Sequence, residues 1–68
     1  MTDLSLKIGQ LIRVKRVEKK LTQEKLSLQC GIDRSYMGRI ERGEVNITVE
    51  KLYEIAMELE VKVQELLP

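Results

Sequence analysis

The sequence predicts an all-α protein, a compact domain of five short helices with a helix-turn-helix at helices 2 and 3. Three observations carry this. Apolar residues recur at three- and four-residue spacing (Ile8 and Ile12; Leu52, Ile55, Ala56 and Leu59), and no segment alternates with period two long enough to argue for a strand. The breaks between periodic runs carry capping chemistry, with Thr22, Asp33 and Thr48 ahead of helical stretches and Gly31 and Gly43 behind them. A chain of 68 residues makes one domain, 1–68, with a small core that must come from Leu, Ile, Val and Met because Phe and Trp are absent.

The elements follow in order. Helix 1 is expected over about 4–19, capped by Asp3 or Ser5, with Ile8 and Ile12 inward and Leu4, Leu11 and Val14 around them. Arg16 continues the Ile8–Ile12 row, so it points partly inward and needs a carboxylate. Lys19 and Lys20 suit the negative end of that helix's dipole. Helix 2, about 23–30, starts after the cap Thr22 and ends at Gly31, where a left-handed residue is needed. Helix 3, about 34–42, follows the cap Asp33 and stops at Gly43; a loop over 44–47 leads to Thr48 and helix 4, about 49–59. A last helix is expected over about 63–67, before Pro68. No repeat, low-complexity tract or linker interrupts the chain.

Composition narrows the function. A lone cysteine forms no intramolecular disulfide, which points to a reducing, cytoplasmic setting. No apolar run approaches the ~18 residues of a membrane span, and the N-terminus lacks the basic-then-apolar pattern of a signal peptide. With no His, no metal-ligand cluster, no Gly-rich phosphate loop and no nucleophile beside a base, neither an enzyme nor a cofactor or metal site is expected. So small a chain also leaves little room for an effector pocket, so no small-molecule effector is expected. The net charge of +1 conceals a strong polarity: residues 1–43 carry ten Lys/Arg against five Asp/Glu, and residues 44–68 carry two Lys against six Glu. A basic half suits a polyanion partner.

The stretch Thr22–Gly43 has the organisation of a helix-turn-helix: small Ser27 where two helices approach, Gly31 at the turn, and apolar Leu26, Cys30, Ile32, Met37 and Ile40 toward the core. The outer side of helix 3 carries Arg34, Ser35, Tyr36, Arg39 and Arg42. Arg34 stands in the first turn, where a cation opposes the dipole at a cost of roughly 0.3–1 kcal/mol; an anionic partner there accounts for it. In this motif the start of the second helix enters the DNA major groove, and Arg pairs bidentately with guanine. Arg34, Ser35 and Arg39 are therefore the base-reading candidates, and Gln23, Tyr36, Arg42 and Asn46 the phosphate-backbone candidates. Plainer roles exist for some of them: Arg42 as a solvated charge, Tyr36 packed on helix 2, Cys30 and Met37 as core. Glu41 falls near the core side, where it can pair with Arg16 in a partly buried ion pair joining helices 1 and 3.

The residues Ile8-Gly9, Ile12-Arg13, Arg16, Leu21-Thr22-Gln23-Glu24, Leu26, Gly31-Ile32, Ser35-Tyr36 and Ile40-Glu41-Arg42-Gly43 together resemble the Cro/lambda-repressor (XRE) helix-turn-helix family. The likeness runs on through Leu52, Ile55-Ala56, Leu59, Val61 and Leu66-Leu67. It implies a five-helix domain that binds operator DNA as a dimer, with Arg16 and Glu41 as the family's salt bridge and helix 5 at the dimer interface. Within the family, Asp33-Arg34-Ser35-Tyr36 and Asn46-Ile47-Thr48 resemble the controller proteins of restriction–modification systems; small phage and chromosomal repressors share much of the pattern. Three residues depart from it: Lys20 replaces a usual Gly, Lys15 a usual apolar residue, and Lys62 a usual Ser or Thr cap.

The leading expectation is thus a transcriptional regulator acting on double-stranded DNA as a homodimer. Val61, Val63, Leu66 and Leu67 look too many for one small core to cover, so helix 5 is expected to pair with its copy. Two recognition helices about 34 Å apart would read a near-palindromic site, and the acidic half would be left free to touch a protein such as RNA polymerase. The alternative from another class is a protein-interaction module of the antitoxin kind using the same fold without DNA.

Overall fold

The computed structural model describes residues 2–68. Four α-helices, α1 (Asp3–Glu18), α2 (Gln23–Cys30), α3 (Arg34–Glu41) and α4 (Val49–Leu59), are followed by a 3₁₀ turn at Val63–Leu66. The expected fifth α-helix is therefore a single tighter turn.

Helix boundaries follow the capping chemistry, with two corrections. Thr2, rather than Asp3 or Ser5, caps α1: its hydroxyl accepts the Ser5 N–H at 3.0 Å. Ser5 is buried, and its own hydroxyl donates to Asn46 Oδ1 at 2.8 Å, tying the loop after α3 to the start of α1. Thr22 and Thr48 cap α2 and α4 by accepting from Lys25 N and Lys51 N. Asp33 occupies the cap position of α3, but its carboxylate makes no capping bond.

Ile12, Leu26, Met37, Ile55, Leu59 and Leu66 are fully buried, with Ile8, Ile40, Leu52 and Ala56 completing the core. α1 packs on α3, α2 on α3 and α4, and the 3₁₀ turn bridges α4 and α1. Leu66 thus leaves the expected dimer set, because it is sealed inside the chain's own core. With three residues per turn, Val63 and Leu66 eclipse one another and face the same way, and Val63 is half-buried beside it. Lys15 and Lys62 both find partners in this arrangement. Lys15 Nζ lies 3.3 Å from Glu65 and 3.5 Å from Glu18, bracing α1 against the 3₁₀ turn, and these carboxylates raise its pKa, Glu65 most. At Lys62 the missing hydroxyl cap is answered from the other side, since Glu65 Oε2 accepts the Lys62 backbone N–H at 2.9 Å. Cys30 is half-buried, and desolvation, aided by the Glu58 charge, pushes its thiol up to about 11, so it behaves as a packing group.

Three backbone positions are conformationally or sterically special. A Cβ on Gly9 would lie 2.4 Å from the Ile40 carbonyl oxygen and 2.6 Å from that of Glu41, so only glycine lets α1 approach the end of α3 this closely. Lys20 adopts φ 61° between α1 and α2, the left-handed conformation that suits the glycine usual there, and Glu60 does the same at φ 58° after α4.

Gly9→Ala is expected to destabilise the fold by about 1–3 kcal/mol through overpacking against backbone atoms that cannot yield, lowering Tm by roughly 10 °C; an unchanged Tm would contradict the close approach. Lys20→Gly should do the reverse. It relieves a left-handed penalty of about 1–2 kcal/mol against a glycine entropy cost of roughly 0.5–1 kcal/mol, so the urea midpoint is expected to rise slightly, and a clear fall would contradict the strain.

Candidate nucleic-acid interface

At about 100° per residue, α3 divides cleanly: Arg34, Gly38, Arg42, Ser35 and Arg39 fall within an arc of roughly 140°. Met37, Ile40 and Glu41 lie on the other side and are buried, while Arg34, Ser35, Arg39 and Arg42 are exposed. Tyr36 sits on the boundary, half-buried with its ring packed against the core. A shallow depression lined by Gln23, Arg34, Ser35, Gly38, Arg39 and Arg42 runs along this arc. The structure thus brings together the three base-reading candidates with Gln23 and Arg42. A second depression carries Tyr36 with Ser35 and Arg39 beside the Gly31–Asp33 turn.

The arc is held in place from behind. Arg16 Nε donates to Glu41 Oε2 at 2.7 Å and Arg16 Nη2 to Glu41 Oε1 at 3.2 Å, a bidentate pair across α1 and α3. Arg16 Nη1 donates to the Leu21 carbonyl at 2.7 Å, and Gln23 Nε2 to Glu41 Oε1 at 3.0 Å. The Arg16 side chain is 11% exposed and that of Glu41 3%. A charge pair this buried stands only when its remaining hydrogen-bonding groups are met, and removing one partner from such a pair costs about 3–5 kcal/mol. Here the carboxylate has three donors from two different elements, and among the described residues no buried side-chain polar atom lacks a partner. The network fixes α1, the α1–α2 connection, the start of α2 and the end of α3 relative to one another.

Gln23 therefore has a structural duty at its amide, beyond any contact with a ligand. The cap Thr22 takes the Lys25 N–H and leaves those of Gln23 and Glu24 without an intrahelical acceptor. The start of α3 is more open still, since Asp33 does not cap it and no acidic residue occupies its first turn. Backbone donors and the Arg34 side chain thus converge at one helix end, which is how helix starts hold anions.

The other candidates are placed differently. Asn46 is exposed but lies outside these depressions, its Oδ1 engaged by Ser5. Arg42 is paired: its Nε lies 2.6 Å from Glu44 Oε2, and this arginine holds the Glu44 carboxyl below the ordinary carboxylate range. Val61 and Val63, half-buried, line a separate groove on α4 with Tyr53 and Met57, which are 56% and 72% exposed. Leu67 is 44% exposed. Gly38, Glu44, Tyr53 and Met57 are the residues that the sequence did not single out. For Met57 and Tyr53 a signal existed: apolar residues on α4 outside the Leu52–Ile55–Leu59 row.

The chain matches the helix-turn-helix family over residues 12–66. It is 35% identical over 66 residues to control protein C.BamHI of Bacillus amyloliquefaciens, an alignment covering 96% of this chain and 82% of that protein. It is 37% identical over 65 residues to a hypothetical transcription factor of Neisseria meningitidis, where 96% of this chain spans 61% of the relative's length. Among solved structures, the restriction-modification controller protein C.AhdI of Aeromonas hydrophila superposes with a TM-score of 0.86 at 39% identity, over 90% of this chain and 92% of that one. With fold, motif and sequence in agreement over nearly its whole length, this chain belongs to the XRE-type helix-turn-helix family.

Proposed function

We propose that the chain is a sequence-specific DNA-binding transcriptional regulator, acting as a homodimer on a near-palindromic operator in the manner of the restriction–modification controller proteins it resembles. The observation that carries this is the exposed arginine arc of α3 around an uncapped helix start. Arg34 and Arg39 read guanines in the major groove and Ser35 reaches a base edge or phosphate. Gln23, Arg42, the Tyr36 hydroxyl and the free Asn46 amide meet the sugar-phosphate backbone and set the register. Arg16 and Glu41 do not touch DNA; they hold the reading helix at its angle.

The second copy pairs over the α4 groove, where Tyr53, Met57, Val61 and Val63 offer an apolar surface with Leu67 nearby. The acidic residues of α4, Glu50, Glu54 and Glu58, line neither depression, and this acidic side is the proposed contact for a protein such as RNA polymerase. Regulation then follows protein concentration and dimerisation, without a small-molecule effector, in the cytoplasm. Among the described residues no helix is long and apolar enough to cross a membrane.

Arg34→Ala is expected to weaken binding to the cognate operator by roughly 1–3 kcal/mol and to relax the choice of base at one position in each half-site, with parental affinity for DNA falling steeply as salt rises. Operator binding that is unchanged in Arg34→Ala, or insensitive to salt, would contradict the reading and favour a protein-interaction module.

A further inference from the structure

Arg42 and Glu44 form an exposed ion pair beside the reading face, their side chains 60% and 39% exposed. Such pairs contribute little to stability. A carboxylate at the edge of a surface that meets phosphates is moreover an electrostatic liability. Folding and long-range attraction thus both leave Glu44 unexplained, and its geometry is specific.

The turn ending α3 places Glu44. Gly43, at φ 75°, donates its N–H to the Ile40 carbonyl at 3.0 Å, and Glu44 N–H donates to the Arg39 carbonyl at 2.9 Å. Gly43 is itself pinned against α1, since a Cβ there would lie 2.7 Å from Leu6 Cα. From this fixed position the carboxylate takes Arg42 by Nε alone, at 2.6 Å, leaving both terminal nitrogens without a protein acceptor among the described residues. The guanidinium folds back over α3: Arg42 Nη1 lies 3.0 Å and Cζ 3.9 Å from where a Cβ on Gly38 would stand, and Gln23 Oε1 lies 3.7 Å from the same point. Gly38 is a notch in the reading helix, and the Arg42 guanidinium rests in it, beside the start of α2.

We infer that Glu44 is a positioning residue for DNA recognition: by holding Arg42 Nε it folds the guanidinium into the Gly38 notch, so that the terminal nitrogens meet one defined phosphate next to Gln23. The inference rests on the DNA-binding reading and adds to it a residue of the wrong charge for DNA. A guanidinium fixed in advance loses less freedom on binding, and it holds the register in which Arg34 and Arg39 meet their bases.

The test compares the full chain with Glu44→Gln, Arg42→Ala and the double variant on two duplexes, the operator recovered by selection and a random sequence, at one fixed salt concentration. If Glu44 positions Arg42, Glu44→Gln weakens operator binding roughly three- to tenfold while binding to random duplex holds or tightens, so the specificity ratio falls. In the Arg42→Ala background the same substitution no longer weakens operator binding. If Glu44 only repels DNA, Glu44→Gln tightens both duplexes alike, and the inference is overturned. A fall on both duplexes by the same factor overturns it too.

Gly38→Ala supplies a second variant, in which the added Cβ meets chiefly the flexible end of Arg42. It improves helix propensity and should raise Tm by a few degrees, yet it crowds the guanidinium and should weaken operator binding, an effect lost in the Arg42→Ala background. Undiminished operator binding by Gly38→Ala would remove the notch from the account. Failure of the parental chain to prefer any duplex would instead sink the DNA-binding reading itself, and the inference with it.

Discussion

The bidentate contact between Arg16 and Glu41 is the constraint around which this small protein is arranged. A 68-residue chain without Phe or Trp has a thin core, and a thin core fixes the angles between short helices poorly. Directional bonds do that work here. Glu41 receives Arg16 from α1 and Gln23 from α2, while Arg16 also binds the Leu21 carbonyl in the connection between them. Gly9 lets α1 come close enough for the pair to meet, its absent side chain leaving room for the carbonyls of Ile40 and Glu41. Charge burial is an expensive way to join helices, and its return lies in orientation: with Glu41 fixed at one end, the opposite side of α3 is committed to solvent.

What α3 then presents is chemically one-sided. Its exposed arc carries three arginines and a serine, its first turn has no acid, and its cap position makes no side-chain bond. Each is a small cost to an isolated helix. Together they make sense in the presence of a polyanion, and they lie in the half of the chain that is basic, residues 1–43, ahead of the acidic second half. The apolar groove of α4 and the 3₁₀ turn belongs to the second half, so the basic arc and the apolar groove are different surfaces, and the proposed polyanion recognition and self-association do not compete for one face.

Much of this was legible in the sequence because it follows local rules. The rows of Ile8 and Ile12 or Leu52, Ile55 and Leu59 have helical spacing, Thr22 and Thr48 are strong caps, and Gly31 and Gly43 mark left-handed turns. Even the inward Arg16 follows from its place four residues beyond Ile12. The parts that stayed hidden depend on tertiary placement. Thr2, Asp3 and Ser5 can each cap α1, and the choice falls to Thr2 because Ser5 is drawn inward to Asn46. The short segment before Pro68 reads as a fifth helix, but it forms a single 3₁₀ turn, and Leu66 within it is buried in the core. Nothing about glutamate foretells the left-handed backbone of Glu60. Gly38 and Glu44 gain meaning only once Arg42 is seen lying between them.

The central claim is that the α3 arc of two paired copies reads a specific duplex. Selection of bound sites from random duplexes by the full chain tests it most directly. The account predicts a recovered consensus with two inverted half-sites whose centres lie about one helical turn apart, roughly 34 Å, and with guanine in the positions of strongest preference. A recovered pool with no common sequence, or a single half-site without a symmetric partner, would contradict it.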